Sequence, residues 1–363
     1  MTNSSPLSLG GSQTGNAFTG TFATDNENWL KVFGGEILSA FEKAIEISPK
    51  LTTRTISSGK SATFPITGRA NARNHKPGED ILLSTNVAAA FQDAVAADGI
   101  TDGRPQDWTA NASAKYLSNL GASERIININ DLMIASVFID DLDEVKAYYD
   151  LRSTYTVELG RALARKMDNL CARSLFAAAG TIAEGAMRGG QTISDGNMLT
   201  QADVMASSIM GAAQKLDEYD IPKEDRMCIL NPAGYYLLLR AAGGIGGTDS
   251  YAALLSQDYS MGNGDFAEGR VLMVGGIPVV VSNNAGFGVN FTQEAGENNE
   301  LAVDMSNAAG IVAHKSATGI LKLKDLQLEH EYMIQNQGNL FVSKLACGVA
   351  PLRTDGAIKL VTA

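Results

Sequence analysis

Two glycine-rich segments contain residue types that bind phosphate in nucleotide-binding proteins. Residues 59–61 (GKS) match the end of a P-loop, in which backbone N–H groups and a lysine surround the phosphates. Arg54 stands where that motif needs its first glycine, and no apolar strand leads into it. In the second segment, 243–247, Asp249 occupies the position of the third glycine of a dinucleotide fingerprint. Neither segment predicts a nucleotide site, and a surface loop is the better interpretation of 243–247.

Metal ligands and catalytic groups are equally poorly represented. The histidines at 75, 314 and 330 lie far apart, and none has a second histidine at metal-ligand spacing. The cysteines at 171, 228 and 347 form no CxxC pair, which predicts three reduced, buried thiols. No GxSxG elbow is present, and the paired acids at 140–144 fit the start of a helix, where the macrodipole favours negative charge. We therefore expect no enzyme activity and no cofactor or metal.

The overall charge argues against a nucleic-acid-binding protein. The 363 residues have a formal net charge of −11, whereas proteins that bind phosphate backbones concentrate Lys and Arg on one face. Any contact with DNA should therefore be weak and non-specific. The first 20 residues are polar and predict no signal peptide, and the apolar run 271–281 is too short to span a membrane. We expect no membrane association.

The first half of the chain is predicted to be extended. Residues 1–26 are polar, and an apolar stripe at helical spacing follows from Trp29 to Ile45. Arg54–Ile66 is rich in Thr, Ser and Ile and predicts an extended arm or an edge strand, and Arg125–Ile139, with its β-branched residues, predicts another strand. The roughly fifty residues between them are polar and weakly apolar, which predicts a long protruding loop whose legs are the two strands.

The strongest helix prediction is Asp141–Ala179. Asp141 and Glu144 form a capping box, an apolar stripe follows at helical spacing, and Gly180 ends it. Such a helix would measure about 55–60 Å, which suits the spine of an elongated subunit. Gly160 inside it costs about 1 kcal/mol unless another segment packs closely there.

The second half predicts a compact α/β unit at about 200–308, followed by further strands. Its elements are a helix at 202–216, a strand at 226–230, a helix at 234–242, and strands at 271–274 and 278–282. Beyond it, 311–315 and 320–332 are strand-like. In the last of these the apolar residues change from odd to even positions, which predicts a bulge near Lys324 and Asp325.

Several blocks resemble the major capsid proteins of podovirus-type, short-tailed double-stranded-DNA bacteriophages. The blocks lie in the same order and at similar spacing along most of the chain: 30–36 (LKVFGGE), 56–62 (ISSGKSA), 64–65 (FP), 68–69 (GR), 77–79 (PGE), 149–156 (YDLRSTYT) and 314–319 (HKSATG), with a weaker match at 348–353. Each block alone is weak, but the set is specific. The segment 80–123 is longer than the family pattern, which leaves the tip of the loop undefined.

The resemblance implies an α+β HK97-like capsid fold. Residues 1–53 would form the N-terminal arm, 54–138 the extended E-loop, and 139–200 the peripheral domain with its spine helix. Residues 201–308 would form the axial domain, and 309–363 would return to the peripheral domain. The chain would self-assemble, without covalent crosslinks, into the icosahedral shell that encloses the phage DNA.

Inter-subunit contacts are expected where charged residues interrupt apolar or strand-like segments. The candidate residues are Lys31, Glu36, Arg54, Lys60, Arg69, Glu79 and Arg152. For Lys31 and Glu36 an exposed helix face is an equally good interpretation. For the basic cluster around Arg69 we favour salt bridges to a neighbouring subunit over DNA contact.

The expected partners are copies of the chain in hexamers and pentamers, a scaffolding protein, a portal protein and, weakly, the packaged DNA. The chain would be assembled in the host bacterial cytoplasm and end in the virion. Two alternatives stay open: an encapsulin-like compartment shell, which shares the fold, and a soluble α/β enzyme with an unrecognised site. The long arm and loop count against the enzyme, because a monomer has no use for the surface they expose.

Overall fold

The computed structural model describes residues 37–67, 74, 77, 122–140, 151–181, 189–242, 273–299 and 301–362. The α-helices in these ranges are α1 (37–44), α2 (Leu151–Gly180), α3 (Ala202–Glu218) and α4 (Pro232–Ala242). The strands are β1 (Thr52–Thr55), β2 (Ser61–Thr67), β3 (Ala122–Asn128), β4 (Met133–Asp140), β5 (Gln191–Ser194), β6 (Arg226–Leu230), β7 (Met273–Val274), β8 (Ile277–Val281), β9 (Asn290–Phe291), β10 (Val303–Asp304), β11 (Ala308–His314), β12 (Thr318–Met333), β13 (Gly338–Pro351) and β14 (Ala357–Val361).

A six-stranded mixed sheet forms the middle layer of one half of the molecule, with the order β5-β14-β11-β6-β8-β7. Along β6, Met227 and Ile229 pack with α2, whereas Cys228 and Leu230 pack with α3 and α4. All five residues of this strand are buried, as expected for a strand covered by helices on both faces. None of the described helices is both long and apolar enough to cross a bilayer.

A four-stranded sheet with the order β1-β12-β13-β4 forms the second half. Its centre is the long β12–β13 hairpin, whose register shifts between Lys322 and Gln327. The predicted bulge near Lys324 and Asp325 is therefore confirmed. β1 runs parallel to β12, although Thr52 and its partner Gly319 are far apart in sequence.

The long helix α2 lies against both sheets. It contains 30 residues and is about 45 Å long. Leu163, Met167 and Leu175 belong to the largest apolar cluster, which also contains residues of both sheets. The predicted end of the helix is confirmed, whereas its predicted start with Asp141 and Glu144 lies outside the described residues.

Gly160 lies where α1 packs against α2. A Cβ atom there would lie 2.6 Å from the carbonyl oxygen of Ile37 and 3.2 Å from the Cβ of Ala40. The backbone of α1 therefore approaches α2 at a position without a side chain. The close packing that the sequence required for this glycine is present.

Two strand predictions are wrong in their extent. The segment Arg54–Ile66 forms two strands, β1 and β2, because Gly59 adopts a φ of +114° and turns the chain between them. The segment Arg125–Ile139 also forms two strands, β3 and β4. These strands enter different sheets, so the chain must change direction at 129–132.

The sheets cross the predicted domain boundaries. The six-stranded sheet contains β6 and β8 from the predicted axial segment, and β11 and β14 from the segment predicted to return to the peripheral domain. β4, which falls mostly within the predicted E-loop segment, pairs with β13. The division of the chain into arm, E-loop, peripheral and axial domains stays a prediction.

Candidate inter-subunit surface

Two of the seven predicted contact residues, Arg54 and Lys60, have described side chains, and both are exposed. They lie near one another, at either end of the turn between β1 and β2. Arg152 lies in the first turn of α2, where only the backbone is described. The other four lie outside the described residues: Lys31, Glu36, Arg69 and Glu79.

Arg54 holds the β1–β2 turn closed. Its Nη1 donates a hydrogen bond to the carbonyl oxygen of Thr63 at 3.0 Å, and its guanidinium carbon lies 5.5 Å from the centre of the Phe64 ring. A guanidinium has five N–H donors, so most of its hydrogen-bonding capacity is still available. Arg54 can therefore brace β2 and contact a carboxylate of a second chain at the same time.

Lys60 lies where the turn enters β2. Its backbone carbonyl accepts a hydrogen bond from Ile129 N at 2.9 Å, which fixes the turn to the end of β3. Residues 59–61 lead into a strand, whereas a P-loop leads into a helix whose N-terminus binds phosphate. The conclusion that these residues form no phosphate site is supported. Within the described residues, the ammonium group of Lys60 has no ion-pair partner.

β2 and β3 form a two-stranded antiparallel ribbon, called here the ribbon, with Ser61 opposite Asn128 and Thr67 opposite Ala122. In the described part of the chain neither strand pairs with a third, so both edges of the ribbon are open. Ile126 is 57% exposed on the ribbon. Open edges and exposed β-branched side chains are features that pair with another chain.

The ribbon begins on the face of the four-stranded sheet that is turned away from α2. Ala62 and Phe64 pack there with Ile127, Leu321 and Leu352. Gly348 permits this approach, because a Cβ atom at that position would overlap the carbonyl oxygen of Asn128. The base of the ribbon is thus packed on the body of the subunit.

The rest of that sheet face is uncovered within the described residues, and we call it the open face. Along each strand, the residues of the open face alternate with residues that point toward α2. The open face consists of Ile134, Phe138, Gln327, Glu329, Glu331, Leu340, Val342 and Lys344. Ile134 is 58% exposed, and Lys344 makes an ion pair with Glu329. The open face therefore presents apolar side chains beside two acidic ones.

The ribbon root, residues 128–131, is held by a loop from the other end of the chain, the anchoring loop 292–299. Asn128 N donates to Asn299 Oδ1 at 3.2 Å, and Asn299 Nδ2 donates to Asn128 O at 2.8 Å. Asn298 Nδ2 donates to Ile129 O, and Asp131 N donates to Gly296 O at 2.8 Å. Sequence patterns did not indicate these contacts, since asparagines in a Gly/Glu/Asn-rich segment are typical of any loop.

Charged residues fix the anchoring loop to α2. Arg173, whose side chain is fully buried, donates to both carboxylate oxygens of Glu297 at 2.8 and 2.9 Å. Its Nε donates to the carbonyl oxygen of Leu301 at 2.8 Å. Lys166, about two turns earlier in α2, pairs with Glu294, and this hydrogen bond lowers the pKa of that carboxyl.

The other chemistry-bearing residues have structural roles. The three cysteines are free and buried, as predicted, and burial raises the pKa of both Cys228 and Cys347 to about 12. His314 Nδ1 accepts a hydrogen bond from Ser316 N at 3.2 Å, and burial lowers its pKa. Within the described ranges, no three His, Cys, Asp or Glu residues are grouped as metal ligands. The loop 243–247 and His75 lie outside those ranges.

Comparison with known proteins identifies relatives over nearly the whole chain. The major capsid protein of Enterobacteria phage T3 is 28% identical over 97% of this chain and 97% of its own. That of Escherichia phage T7 is 28% identical over 91% of this chain and 90% of its own. Both agree with the resemblance seen in the sequence blocks.

Solved structures give the same result. The capsid structure of the cyanophage P-SCSP1u is 30% identical, has a TM-score of 0.68 and covers 88% of both chains. The mature capsid subunit of bacteriophage PhiM1 has a TM-score of 0.61 at 16% identity, and a virus-like particle from Pyrococcus furiosus has 0.52 at 12%. These last two, covering 88% and 92% of this chain, indicate the shared α+β, HK97-like fold alone.

The family assignment is direct. The sequence profile of the Gp10A-like family, described as "Major capsid protein", matches residues 112–361, which is more than half of the chain. The family consists of structural shell proteins, in agreement with the prediction that the chain is not an enzyme. The chain belongs to the Gp10A-like family of major capsid proteins.

Proposed function

We propose that this chain is the shell subunit of a short-tailed phage head and that its copies form the hexamers and pentamers of an icosahedral shell around double-stranded DNA. The observation that carries the proposal is the family match over residues 112–361. The ribbon adds physical support, because among the described residues its edges are unpaired and Ile126 is exposed, as in strands that pair with another chain. The encapsulin-like and enzyme alternatives are not favoured by these relatives.

The contact between copies that the geometry supports best places the ribbon of one subunit near the open face of the next. Arg54 and Lys60 beside the ribbon are exposed cations, and the open face presents the exposed carboxylates of Glu331 and of Glu329, which is paired with Lys344. Ile126 and Ile134 provide apolar area on the two surfaces. Complementary charge would select the register of the contact, while apolar burial would supply most of its free energy.

The remaining predicted contacts are part of the same proposal. Lys31, Glu36, Arg69, Glu79 and Arg152 would make polar contacts between neighbouring copies, from the N-terminal arm, the E-loop and the start of α2. A scaffolding protein and a portal protein would direct assembly in the host cytoplasm, and DNA would contact the inner surface weakly. Family analogy alone supports these partners.

Negative-stain electron microscopy of the purified chain tests this function, with and without a candidate scaffolding protein. We expect uniform closed shells, or hexameric and pentameric rings, in at least one condition. A monodisperse monomer or dimer in both conditions would contradict the proposal. The charge-reversal variant Arg54→Glu is expected to reduce shell yield severalfold, and the double variant Arg54→Glu with Glu331→Arg to recover part of it.

A further inference from the structure

The side-chain amide of Asn299 pairs with β3 as a neighbouring strand would. Its Oδ1 accepts from Asn128 N at 3.2 Å and its Nδ2 donates to Asn128 O at 2.8 Å. A strand opposite a hydrogen-bonded residue makes the same two bonds. Asn128 is the last residue of β3, where the ribbon joins the body. The Asn299 side-chain amide therefore binds the backbone of β3 at the end of the ribbon.

The neighbouring residues of the ribbon root are also fixed. Ile129 N donates to Lys60 O at 2.9 Å, and Asn130 N donates to Cys347 O at 3.2 Å. The carboxamide oxygen of Asn130 accepts from Asn298 N at 3.0 Å. This orientation leaves the buried Asn130 Nδ2 without an acceptor. The anchoring loop thus determines the geometry of the root even though one buried donor is left unpaired.

The anchoring loop is itself held by α2. Arg173 joins Glu297 and the Leu301 carbonyl to the middle of α2, where the side chain is completely buried. A chain of contacts therefore runs from α2 through Glu297 and Asn299 to the end of the ribbon. A two-stranded ribbon is only marginally stable by itself, so its direction depends on how its root is held.

We propose that Asn299 is a positioning residue for shell assembly: it sets the direction in which the ribbon leaves the subunit relative to α2. This inference rests on the proposed function, since a fixed direction matters only if the ribbon must meet a neighbouring copy. Asn299 is buried, and it acts through the backbone of Asn128 and, at 3.4 Å, through the carboxamide oxygen of Asn130. Its loss should leave the core intact while widening the range of ribbon orientations.

Hydrogen–deuterium exchange of the full-length chain, with assembly followed in parallel, tests this inference. In Asn299→Ala, exchange of the amides at 126–129 should rise about tenfold, while β12–β13 amides should stay within about twofold of wild type. Asn299→Asp keeps the acceptor for Asn128 N but places a buried carboxylate oxygen against Asn128 O, so its exchange should rise at least as much as in Asn299→Ala. Closed-shell yield should fall in the same order, with more open or irregular particles.

Asn284→Ala is the matched control. Asn284 is a half-buried asparagine whose Nδ2 donates to Ala44 O at 3.2 Å and to Asp168 Oδ2 at 3.3 Å, and it lies away from the ribbon. We expect Asn284→Ala to lower the unfolding temperature as much as Asn299→Ala does. Its ribbon exchange and its shell yield should equal those of the wild type. Unchanged ribbon exchange in Asn299→Ala, or equal shell loss in both variants, would overturn the inference. Failure of the wild-type chain to form shells would instead overturn the proposed function, and ribbon exchange would still decide the role of Asn299.

Discussion

Arg173 is the largest of the side chains that are fully buried in the described core, and its charge is balanced by the Glu297 carboxylate. Arg173→Ala would leave that buried carboxylate with only Lys166 Nζ at 3.5 Å and Glu294 N at 3.1 Å, so we expect the free energy of unfolding to fall by about 3 kcal/mol. Arg173→Lys keeps the charge but cannot bond Glu297 and Leu301 O together. Its free energy of unfolding should therefore lie between those of the wild type and Arg173→Ala. Urea denaturation of the unassembled chain measures both.

The control for the Arg173 variants is Arg161→Ala on the same helix. Arg161 is 54% exposed and lies 3.7 Å from Glu158. An exposed pair of this kind contributes about 0–1 kcal/mol. Equal losses for Arg161→Ala and Arg173→Ala would contradict the role assigned to the buried ion pair.

Among the elements, the contact between α1 and α2 depends on the missing side chain of Gly160. Alanine favours helix over glycine by about 1 kcal/mol, but here its Cβ would meet the Ile37 carbonyl oxygen at 2.6 Å. The backbone of α1 must then move, so we expect Gly160→Ala to destabilise the chain by about 1–2 kcal/mol and to raise amide exchange in 37–47. Thermal unfolding and hydrogen exchange measure the two effects.

Gly211 in α3 offers the same substitution with the opposite expectation. A Cβ atom there meets only Ile193 Cδ1 at 3.8 Å, an ordinary contact. Gly211→Ala should therefore stabilise the chain by up to about 1 kcal/mol. Stabilisation by both substitutions would mean that α1 does not pack against Gly160 as described.

For the whole molecule, the net charge of −11 governs its interaction with nucleic acid. A polyanion repels an acidic chain, so we expect binding of duplex DNA at physiological salt to be weaker than the ~10⁻⁴ M end of non-specific affinities. Fluorescence anisotropy with a labelled duplex measures this at two salt concentrations. Micromolar binding that survives 0.15 M salt would show that cations are concentrated on one face despite the overall charge.

The sequence by itself determined the local elements and the family. The end of α2, the span of α3 and the bulge in β12 follow from side-chain periodicity, which depends on residues three or four apart in a helix and two apart in a strand. The blocks from 30–36 to 314–319 identified the family because their order and spacing are preserved along the chain.

Only the tertiary structure decided how distant segments meet. The parallel pairing of Thr52–Thr55 with β12 and the contact of Asn299 with Asn128 each join residues more than 160 positions apart. No local pattern records such a contact, because an asparagine suits any loop and a short strand suits any sheet edge. The same reason explains why β3 and β4 were predicted as one strand. The β-branched residues run without a break from β3 into β4. However, β3 pairs with β2 in the ribbon, whereas β4 pairs with β13 in the four-stranded sheet.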